Sequence, residues 1–394
     1  MFLKSMGRVF RREFSLIFSD VGALIFFFAL PLLYPIVYTL IYYPQVAYDL
    51  PVAVVDNSRT EASRTLVRTA SAAPAISIQA YCANMQEARE LFANNEVVAV
   101  MEIPADYAQK IGRGEQATVP VYFEMSLLLR YRALLSALSD IQLKVASDVT
   151  AARIEAVGAS AAGLGGGLPI QSHSTFLGNP GQGFASFIMP GVFMLILQQS
   201  MVLGICLLVG TANERRRRNR GYDPMAIDAS PLATIWGKAL CYVVLYIPAT
   251  IYMVHILPEI FSLPHSDSIA PYVLFILPYL LASAMFGMLV ANLCTERESA
   301  FMVVVFTSLI FLFLSGLTWP RYAMPPFWKL LSDLVPATWG VEGFIRINSN
   351  DATLAESSRP FLWLWALAAA YFLLAWAVAA LSRAQLSKKH AWCK

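Results

Sequence analysis

Long apolar runs separated by polar segments dominate the pattern of hydrophobic and polar positions along the chain. A helix needs roughly 20 apolar residues to cross a bilayer, and six runs come close to that length. They predict membrane-spanning helices at residues 21–43, 184–210, 233–257, 271–294, 299–317 and 360–381. The pattern therefore predicts a membrane all-α bundle of six transmembrane helices.

The segment before the first run, residues 1–20, mixes basic and apolar positions at helical spacing. Phe10, Phe14 and Phe18 recur on one helical face, with arginines between them. This pattern predicts an N-terminal amphipathic helix that lies on the membrane surface. A solvated lead-in to the first span is the alternative interpretation.

Residues 44–183 have the periodicity of a water-soluble unit inserted between the first two spans. Short apolar runs predict strands at 50–55, 75–80, 96–103 and 118–123. Helical spacing predicts helices at 58–70, at 85–93, after Pro104 and at 126–157, and a glycine-rich joint follows at 163–167. Strands that alternate with helices indicate an inserted α/β domain.

The segment between the fifth and sixth spans, residues 318–359, is apolar but interrupted by four prolines. Within it, the stretch 327–335 is amphipathic. Irregular backbone is tolerated at membrane depth only where protein or water covers it. We therefore predict a re-entrant or interfacial segment here, with one short helix.

The placement of lysine and arginine predicts the orientation, because cytoplasmic loops of membrane proteins are enriched in both. Basic residues cluster before the first span, in the loop 211–232 through the run Arg215–Arg218, and in the tail 382–394. The loop 258–270 contains no lysine or arginine. These constraints place both termini of this inner-membrane protein in the cytoplasm, with residues 44–183 and 318–359 outside.

Composition supports this class and excludes others. Of 394 residues, 57% are hydrophobic and 14% charged, against about 25% charged in soluble domains. No basic surface with interleaved aromatic residues is present in the sequence, so nucleic acid is not an expected partner.

Several catalytic motifs are missing from the sequence. No Gly-x-x-x-x-Gly-Lys-Ser/Thr occurs, so hydrolysis of ATP by a P-loop is not expected. The four histidines have no histidine or cysteine at metal-ligand spacing, and no metal site is predicted. The spans hold almost no charge at mid-depth, which is unusual for a proton- or sodium-driven carrier. No enzymatic activity and no bound cofactor are predicted, and a partner would supply the energy for transport.

Three stretches carry a family resemblance. They are Arg11-Arg12-Glu13-Phe14 with Asp20, then Val54-Val55-Asp56-Asn57-Ser58, and the exit of the fifth span, Leu314-Ser315-Gly316-Leu317-Thr318-Trp319-Pro320. In this order and spacing the chain resembles the ABC-2 type permeases of bacterial ABC exporters. The subgroup it resembles has a large external domain between the first two spans.

The resemblance implies a permease subunit that moves a substrate out of the cytoplasm or inner leaflet. Its partners would be an ABC ATPase subunit, which would bind ATP and Mg²⁺, and a second permease subunit in a homodimer or heterodimer. A periplasmic adaptor is a further candidate partner, beside the lipid bilayer itself. The alternative function is a non-transporting membrane scaffold or receptor with a ligand-binding external domain.

The resemblance also implies two groups of functional residues. Candidates for coupling to the ATPase are Arg11, Arg12, Glu13, Glu214, Arg215, Met225 and Asp228. Candidates for the translocation path or dimer interface are Gln198, Gln199, Ser315, Gly316, Trp319 and Pro320.

Each group has a simpler interpretation. The arginine run could serve only to determine topology, and its sequence after Arg215 departs from the Gly-Thr pattern of the family. We predict that helical order resumes at 225–228. The glutamines could form only hydrogen bonds between helices.

Overall fold

The computed structural model describes residues 2–43, 46–125, 127–156, 178–179, 181, 183–266 and 268–392. The chain divides into two compact units. The first, which we call the membrane unit, comprises Met1–Tyr43 and Phe176–Lys394, and the second, the inserted unit, comprises Pro44–Thr175. The predicted joint at 163–167 lies outside the described residues.

The membrane unit begins with helix α1 (Phe2–Ser19), which buries Val9, Glu13 and Ile17 along one face. This spacing of four residues places the three side chains on one stripe of the helix. The amphipathic helix predicted before the first span is therefore present.

The first span follows α1 without a loop. It consists of α2 (Val21–Leu24), a π-helical turn (Ile25–Ala29) and α3 (Leu30–Ile41). Proline cannot donate a backbone hydrogen bond and its ring clashes with the preceding turn. The wider π turn directly before Pro31 accommodates this residue inside a membrane helix.

The inserted unit contains strands β1 (Leu50–Asp56), β2 (Ile76–Cys82), β3 (Ala99–Ile103) and β4 (Val121–Phe123) in the order β2-β1-β3-β4. The first three strands are parallel, and β4 runs antiparallel to β3. The helices are α4 (Glu61–Ser71), α5 (Met85–Ala93), α6 (Tyr107–Arg113) and α7 (Leu128–Ala156).

Apolar side chains cover both faces of this small sheet. Val52 and Val54 pack in a cluster with residues of α4, α6 and α7, whereas Ala53 and Val55 pack with residues of α5. Successive residues of a strand point to opposite faces, so β1 is buried on both sides. The predicted strands and helices all correspond to observed elements.

Several boundaries in the inserted unit differ from their predictions by a few residues, among them the start of the first helix. The first helix was predicted to begin at Ser58, but α4 begins at Glu61. Asp56 accepts hydrogen bonds from the backbone of Ser58 (3.0 Å) and Arg59 (2.9 Å), which holds a turn after β1. Thr60 then caps the helix through a reciprocal capping box with Ser63.

The rest of the membrane unit is helical. Its elements are α8 (Phe184–Arg218), α9 (Pro231–Ile251), a π turn (Tyr252–Ile256), α10 (Leu257–Phe261), α11 (Ile269–Val290), a 3-10 turn (Ala291–Leu293), α12 (Arg297–Leu314), a 3-10 turn (Arg321–Ala323), α13 (Pro326–Asp333), α14 (Pro336–Asn350) and α15 (Ser358–Trp392).

Six helical stretches of the described residues are long and apolar enough to span a membrane. They are Val21–Ile41, Phe184–Arg218, Pro231–Phe261, Ile269–Leu293, Arg297–Leu314 and Ser358–Ala380. Each overlaps one predicted span, which supports a membrane helical bundle. Helix α8 is the most buried of them and packs against α3, α11, α12 and α14.

Residues 318–359 contain more helix than predicted. The amphipathic stretch at 327–335 corresponds to α13, but a second helix, α14, follows it and was not predicted. Trp339 and Phe344 of α14 are fully buried, and the helix packs against α8 and α11. Pro336 at its first position favours a helix start, and this signal was available in the sequence.

The loop after the second span is shorter than predicted. Helix α8 continues through the arginine run to Arg218, and no helix is present at 225–228, so that prediction was wrong. The Asp223 side chain accepts a hydrogen bond from the backbone of Met225 (3.0 Å) and stabilises a turn instead. Helical order resumes only at Pro231, where Ser230 provides the N-cap.

Candidate functional site

Glu13 is the central residue of a polar network at one end of the membrane unit. We call this the arginine-rich end, and it contains α1, the last turns of α8, the loop 219–230 and the first turns of α9 and α12. Glu13 is 1% exposed. It accepts a hydrogen bond from the Tyr242 hydroxyl (2.6 Å), and Lys238 Nζ lies 3.0 Å from its carboxylate. Lys238 and Tyr242 are one helical turn apart on α9, so they present both partners on one face.

Asp223 is a second buried carboxylate in this network, and it joins three segments. Arg12 of α1 lies 3.3 Å from one of its oxygens, and Nε of Arg215 of α8 lies 3.2 Å from the other. Arg12 also lies 3.7 Å from the carboxylate of Glu13. The two carboxylates therefore share Arg12, and α1 is tied to α8, α9 and the loop between them.

Arg297, at the start of α12, extends the network to the fifth span. Its guanidinium forms a two-point contact with Asp20, at 2.6 and 2.7 Å. Its backbone N–H donates to Glu214 of α8 at 2.7 Å. Asp20 also caps α2 through the backbone of Gly22 and Ala23. The beginnings of the first and fifth spans and the end of the second are thus held together.

The electrostatics of the network favour ionised carboxylates. Burial by itself would raise the pKa of Glu13, but Lys238, the Tyr242 hydroxyl and Arg12 together lower it. Burial likewise opposes ionisation of Asp20, yet the hydrogen bonds from Arg297 lower its pKa. Because opposite charges and donated hydrogen bonds favour the charged form, both groups remain charged at neutral pH.

Asp223 follows the same rule. Burial by itself would raise the pKa of Asp223, but Arg215, the backbone N–H of Met225 and Arg12 together lower it. A buried charge is costly unless it is paired, and both arginines that pair with Asp223 belong to other segments. Loss of one partner would therefore disturb several helix ends at once.

The predicted coupling residues divide into buried and exposed groups. Arg12, Glu13, Glu214 and Arg215 belong to the network, and the backbone of Met225 contacts it through Asp223. The side chains of Arg11 and Asp228 are exposed, as is that of Met225.

Exposed arginines surround the network. Arg217 pairs with Glu296 at 2.5 Å, with both side chains more than half exposed, and the Arg218 side chain is 81% exposed. Arg216 and Arg220 are exposed as well. This end of the unit thus presents a positively charged surface over a buried ion-pair layer.

Gln198 and Gln199 lie in the middle of α8. Gln198 is fully buried, and the amide nitrogen and oxygen of both side chains have no hydrogen-bond partner among the described residues. The simpler interpretation, hydrogen bonds between helices, is therefore not observed in this part of the chain. An unpaired buried amide costs roughly 1–3 kcal/mol.

The remaining predicted residues lie at the other end of α12. Ser315 is buried and donates to the Leu312 carbonyl at 2.7 Å, and Gly316 adopts a left-handed backbone with φ of 86°. Trp319 and Pro320 are exposed. The turn at Gly316 directs the chain from the span toward Arg321.

Arg321 organises this second end, which we call the tryptophan-rich end and which comprises the end of α12, α13, α14 and the start of α15. Its guanidinium pairs with Asp333 and Glu342 and lies 4.2 Å from the ring centre of Trp339. Trp339 stacks on Trp363 of α15 at 5.1 Å. Residues from 321 to 363 thus form one local cluster.

Several network residues were not assigned a role from the sequence. Asp223, Lys238, Tyr242 and Arg297 pair with partners up to 277 residues away. Lys238, near the end of an apolar span, was a usable signal of a buried ion pair, because such a charge requires a partner. The identity of that partner depends on which helix packs beside α9, and this is a property of the fold.

Among the residues that the structure describes, one cluster of possible metal ligands lies outside the networks of both ends. The ligand atoms of His255, Glu259 and His265 all lie within 4.8 Å of one another. The prediction of no metal site rested on the spacing of histidine and cysteine alone. The third possible ligand here is a glutamate.

Comparison with known proteins identifies the family. The model of the family described as ABC-2 family transporter protein matches residues 22–377, which is most of the chain, and no curated protein matches. The chain therefore belongs to the ABC-2 transporter family, as its motifs predicted. Members are membrane transport subunits that associate with an ABC ATPase subunit, so this chain is a multi-pass membrane component of an ABC transporter.

Proposed function

We propose that this ABC-2 family protein is the permease subunit of an exporter. It moves a substrate from the cytoplasm or inner leaflet outward, and a separate ATPase subunit binds Mg²⁺ and ATP and hydrolyses the nucleotide. The placement of arginine and lysine supports a bacterial inner membrane with both termini in the cytoplasm. On this orientation the arginine-rich end faces the ATPase and the tryptophan-rich end faces outward.

The buried network around Glu13 carries the proposal. It connects an amphipathic helix that lies outside the spans to the ends of the first, second, third and fifth spans. Packed elements linked by buried ion pairs move as rigid bodies rather than bending independently. A push on α1 or on the exposed arginines would therefore reach four spans together.

The coupling step follows from this geometry. ATP-driven closure of two ATPase subunits would displace the surface formed by Arg11, Arg217, Arg218 and the loop 219–230. The network would pass this displacement to the spans. The unpaired amides of Gln198 and Gln199 would then line the path, and the segment from Ser315 to Pro320 would shape its exit.

The inserted unit is proposed to be the extracytoplasmic domain. A long domain can be translocated regardless of its own charge. The basic segments before the first span and after the second span support a position of the inserted unit on the outer side. It would collect substrate or contact a periplasmic adaptor. A second permease subunit, identical or related, would complete the transporter.

Reconstitution tests the proposal. The chain would be co-expressed with a candidate ABC ATPase subunit, purified through a tag on the chain, and placed in liposomes. We expect the ATPase to co-purify, and we expect ATP hydrolysis that amphiphilic test compounds stimulate. The chain alone should show no hydrolysis, and measurable activity of the chain alone would contradict the assignment.

A matched pair of variants locates the docking surface. Arg218→Glu reverses an exposed charge at the arginine-rich end, and Arg113→Glu reverses an exposed charge in the inserted unit. We expect R218E to reduce co-purification of the ATPase at least tenfold and R113E to leave it unchanged. Equal effects of both variants would show that the surface is not the docking site.

A second candidate function is a membrane receptor or scaffold. An open cleft of about 640 Å³ in the inserted unit favours it, and its lining includes Met101, Tyr107, Leu138 and Ile141. Such a cleft could bind an apolar ligand without any transport. A chain that binds ligand but neither recruits an ATPase nor supports export would establish this alternative.

A further inference from the structure

His255, Glu259 and His265 converge where the third span ends. His255 and Glu259 are separated by four residues along the π turn and α10, and His265 comes from the following loop. Their ligand atoms lie within 4.8 Å of one another, and the ring centres of the two histidines are 6.0 Å apart. Two imidazoles and one carboxylate are a ligand set that transition metals use in proteins.

The hydrogen bonds of His265 fix which ring nitrogen is available. Nδ1 lies 3.1 Å from the Leu263 carbonyl, which can only accept a hydrogen bond, so Nδ1 carries a proton. Nε2 then lies 3.2 Å from a carboxylate oxygen of Glu259. In the neutral ring, Nε2 and the carboxylate oxygen are both acceptors, and a proton or a metal ion between them would satisfy both.

This arrangement is the one found around metal-bound histidines. Their non-ligating nitrogen usually donates to a backbone carbonyl or carboxylate, which orients the ring and directs the other nitrogen at the metal. The Leu263 carbonyl provides this second contact for His265. The ring is therefore positioned before any ligand binds.

The loop that carries His265 is held on both sides. Asn348 donates to the Pro264 carbonyl at 3.0 Å, and the backbone of Ser266 donates to the Tyr272 hydroxyl at 2.9 Å. Ser266 also hydrogen-bonds to Asp351. A ligand site needs such a rigid surrounding to keep its geometry.

We propose that His255, Glu259 and His265 bind one divalent transition-metal ion of the zinc class. A ring nitrogen of His255, a Glu259 oxygen and His265 Nε2 supply three ligands, and a fourth position stays open to water or another ligand. Two nitrogen donors favour Zn²⁺ over Mg²⁺ and Ca²⁺, which select oxygen. The bound ion links the end of the third span to the loop before the fourth, and this site does not depend on transport.

Zinc titration of the whole chain tests the proposal. The chain would be purified through a tag without histidines, stripped of metal, and titrated with Zn²⁺ in competition with a chromophoric chelator. We expect one ion per chain with micromolar or tighter affinity. Removal of one metal ligand should weaken binding at least as much as loss of a second-sphere contact, for which 10- to 100-fold is typical. H255Q, E259Q and H265Q should therefore each weaken it at least tenfold.

Two further variants keep the test decisive. H173Q/H390Q removes the other two histidines of the chain and should leave binding unchanged. E259H replaces the carboxylate ligand by an imidazole and should restore the zinc affinity that E259Q loses. Co²⁺ bound to the native chain in place of Zn²⁺ should give the visible absorption of a four-coordinate site.

Three results would overturn the site. They are no stoichiometric binding to the native chain, undiminished binding by H265Q, and loss of binding in H173Q/H390Q. Size-exclusion profiles of each variant in detergent show whether it is folded, and the recovery by E259H separates loss of a ligand from loss of structure.

Discussion

The two ends of α12 use charged side chains in opposite ways. At the arginine-rich end, Arg297 pairs with Asp20 and donates its backbone N–H to Glu214 of α8, and Lys238 of α9 pairs with Glu13 of α1. At the tryptophan-rich end, Arg321 pairs with Asp333 and Glu342, all within one stretch of chain. One network connects segments far apart in sequence, and the other stabilises a local fold.

This difference indicates different mechanical roles. Ion pairs between distant helices would make their ends move together, so a displacement at α1 would be passed to several spans. Ion pairs within 321–346 shape one compact segment and do not join it to the helix ends at the other end of α12. The following predictions test this contrast, beginning with the largest expected effect.

Removal of the Glu13 carboxylate should be the most damaging single change. Glu13→Ala leaves Lys238 without its ion-pair partner and the buried Tyr242 hydroxyl without an acceptor. Breaking a buried pair in this way costs about 3–5 kcal/mol. Thermal unfolding in detergent should show the loss, and spin labels on α1 and α9 should report that α1 separates from α9.

Two variants control this experiment. Glu90→Ala removes an exposed carboxylate from the inserted unit and should change stability little. The triple variant E13M/K238M/Y242F replaces the pair and the hydroxyl that depends on it by apolar side chains, and it should recover most of the stability, because a buried pair often contributes little over a well-packed apolar one. Failure of E13M/K238M/Y242F to recover would indicate that the charges are needed for more than packing.

Arg321→Ala should have the second largest effect, and it should stay local. The change leaves Asp333 and Glu342 without their shared cation and uncovers the Trp339 ring, at a cost of about 2–3 kcal/mol. Hydrogen exchange should increase in α13 and α14 and remain unchanged in α1. Lys329→Ala, an exposed change in the same segment, is the control, and faster exchange in α1 would contradict the contrast.

Two glycines allow a matched comparison of the ends. A Cβ at Gly210 of α8 would overlap the Glu296 carbonyl before α12. Gly210→Ala should therefore push the second and fifth spans apart and lower the free energy of unfolding by about 1–3 kcal/mol. Gly316→Ala should cost about 1–2 kcal/mol, because its left-handed backbone disfavours a side chain. Distances between spin labels on α8 and α12 should increase in G210A only.

A fall in pH should have the smallest effect on stability, and this effect should arise at the arginine-rich end. The pKa values of Glu13, Asp20 and Asp223 are lowered in the folded chain. The unfolded chain then binds more protons, so their stabilisation is complete above the ordinary carboxyl pKa of about 4 and is lost as pH falls through the lowered values. Thermal unfolding between pH 6 and pH 3 measures this loss, which should be smaller in Glu13→Gln. An identical pH profile in E13Q would exclude a contribution from Glu13.

Much of the fold was predictable because it depends on local pattern. The spans follow from apolar length alone, and the strands of the inserted unit follow from short runs of β-branched residues. Helix α14 was missed because its apolar residues lie among prolines and polar residues, and it is buried only because α8 and α11 cover it. The turn at 223–228 was mistaken for a helix because the contacts of Asp223 come from α1 and α8.

The sequence by itself determined that six helical stretches of the described residues are long and apolar enough to cross a membrane, that short strands alternate with helices between residues 50 and 123, and that the chain belongs to a family of transport subunits. Composition and order along the chain suffice for these properties. Only the tertiary structure decided that Glu13 is buried against α9, that Asp20 pairs with Arg297, and that His255, Glu259 and His265 converge. Charged partners are selected by which helix ends come together in space, and that depends on the packing of the whole bundle.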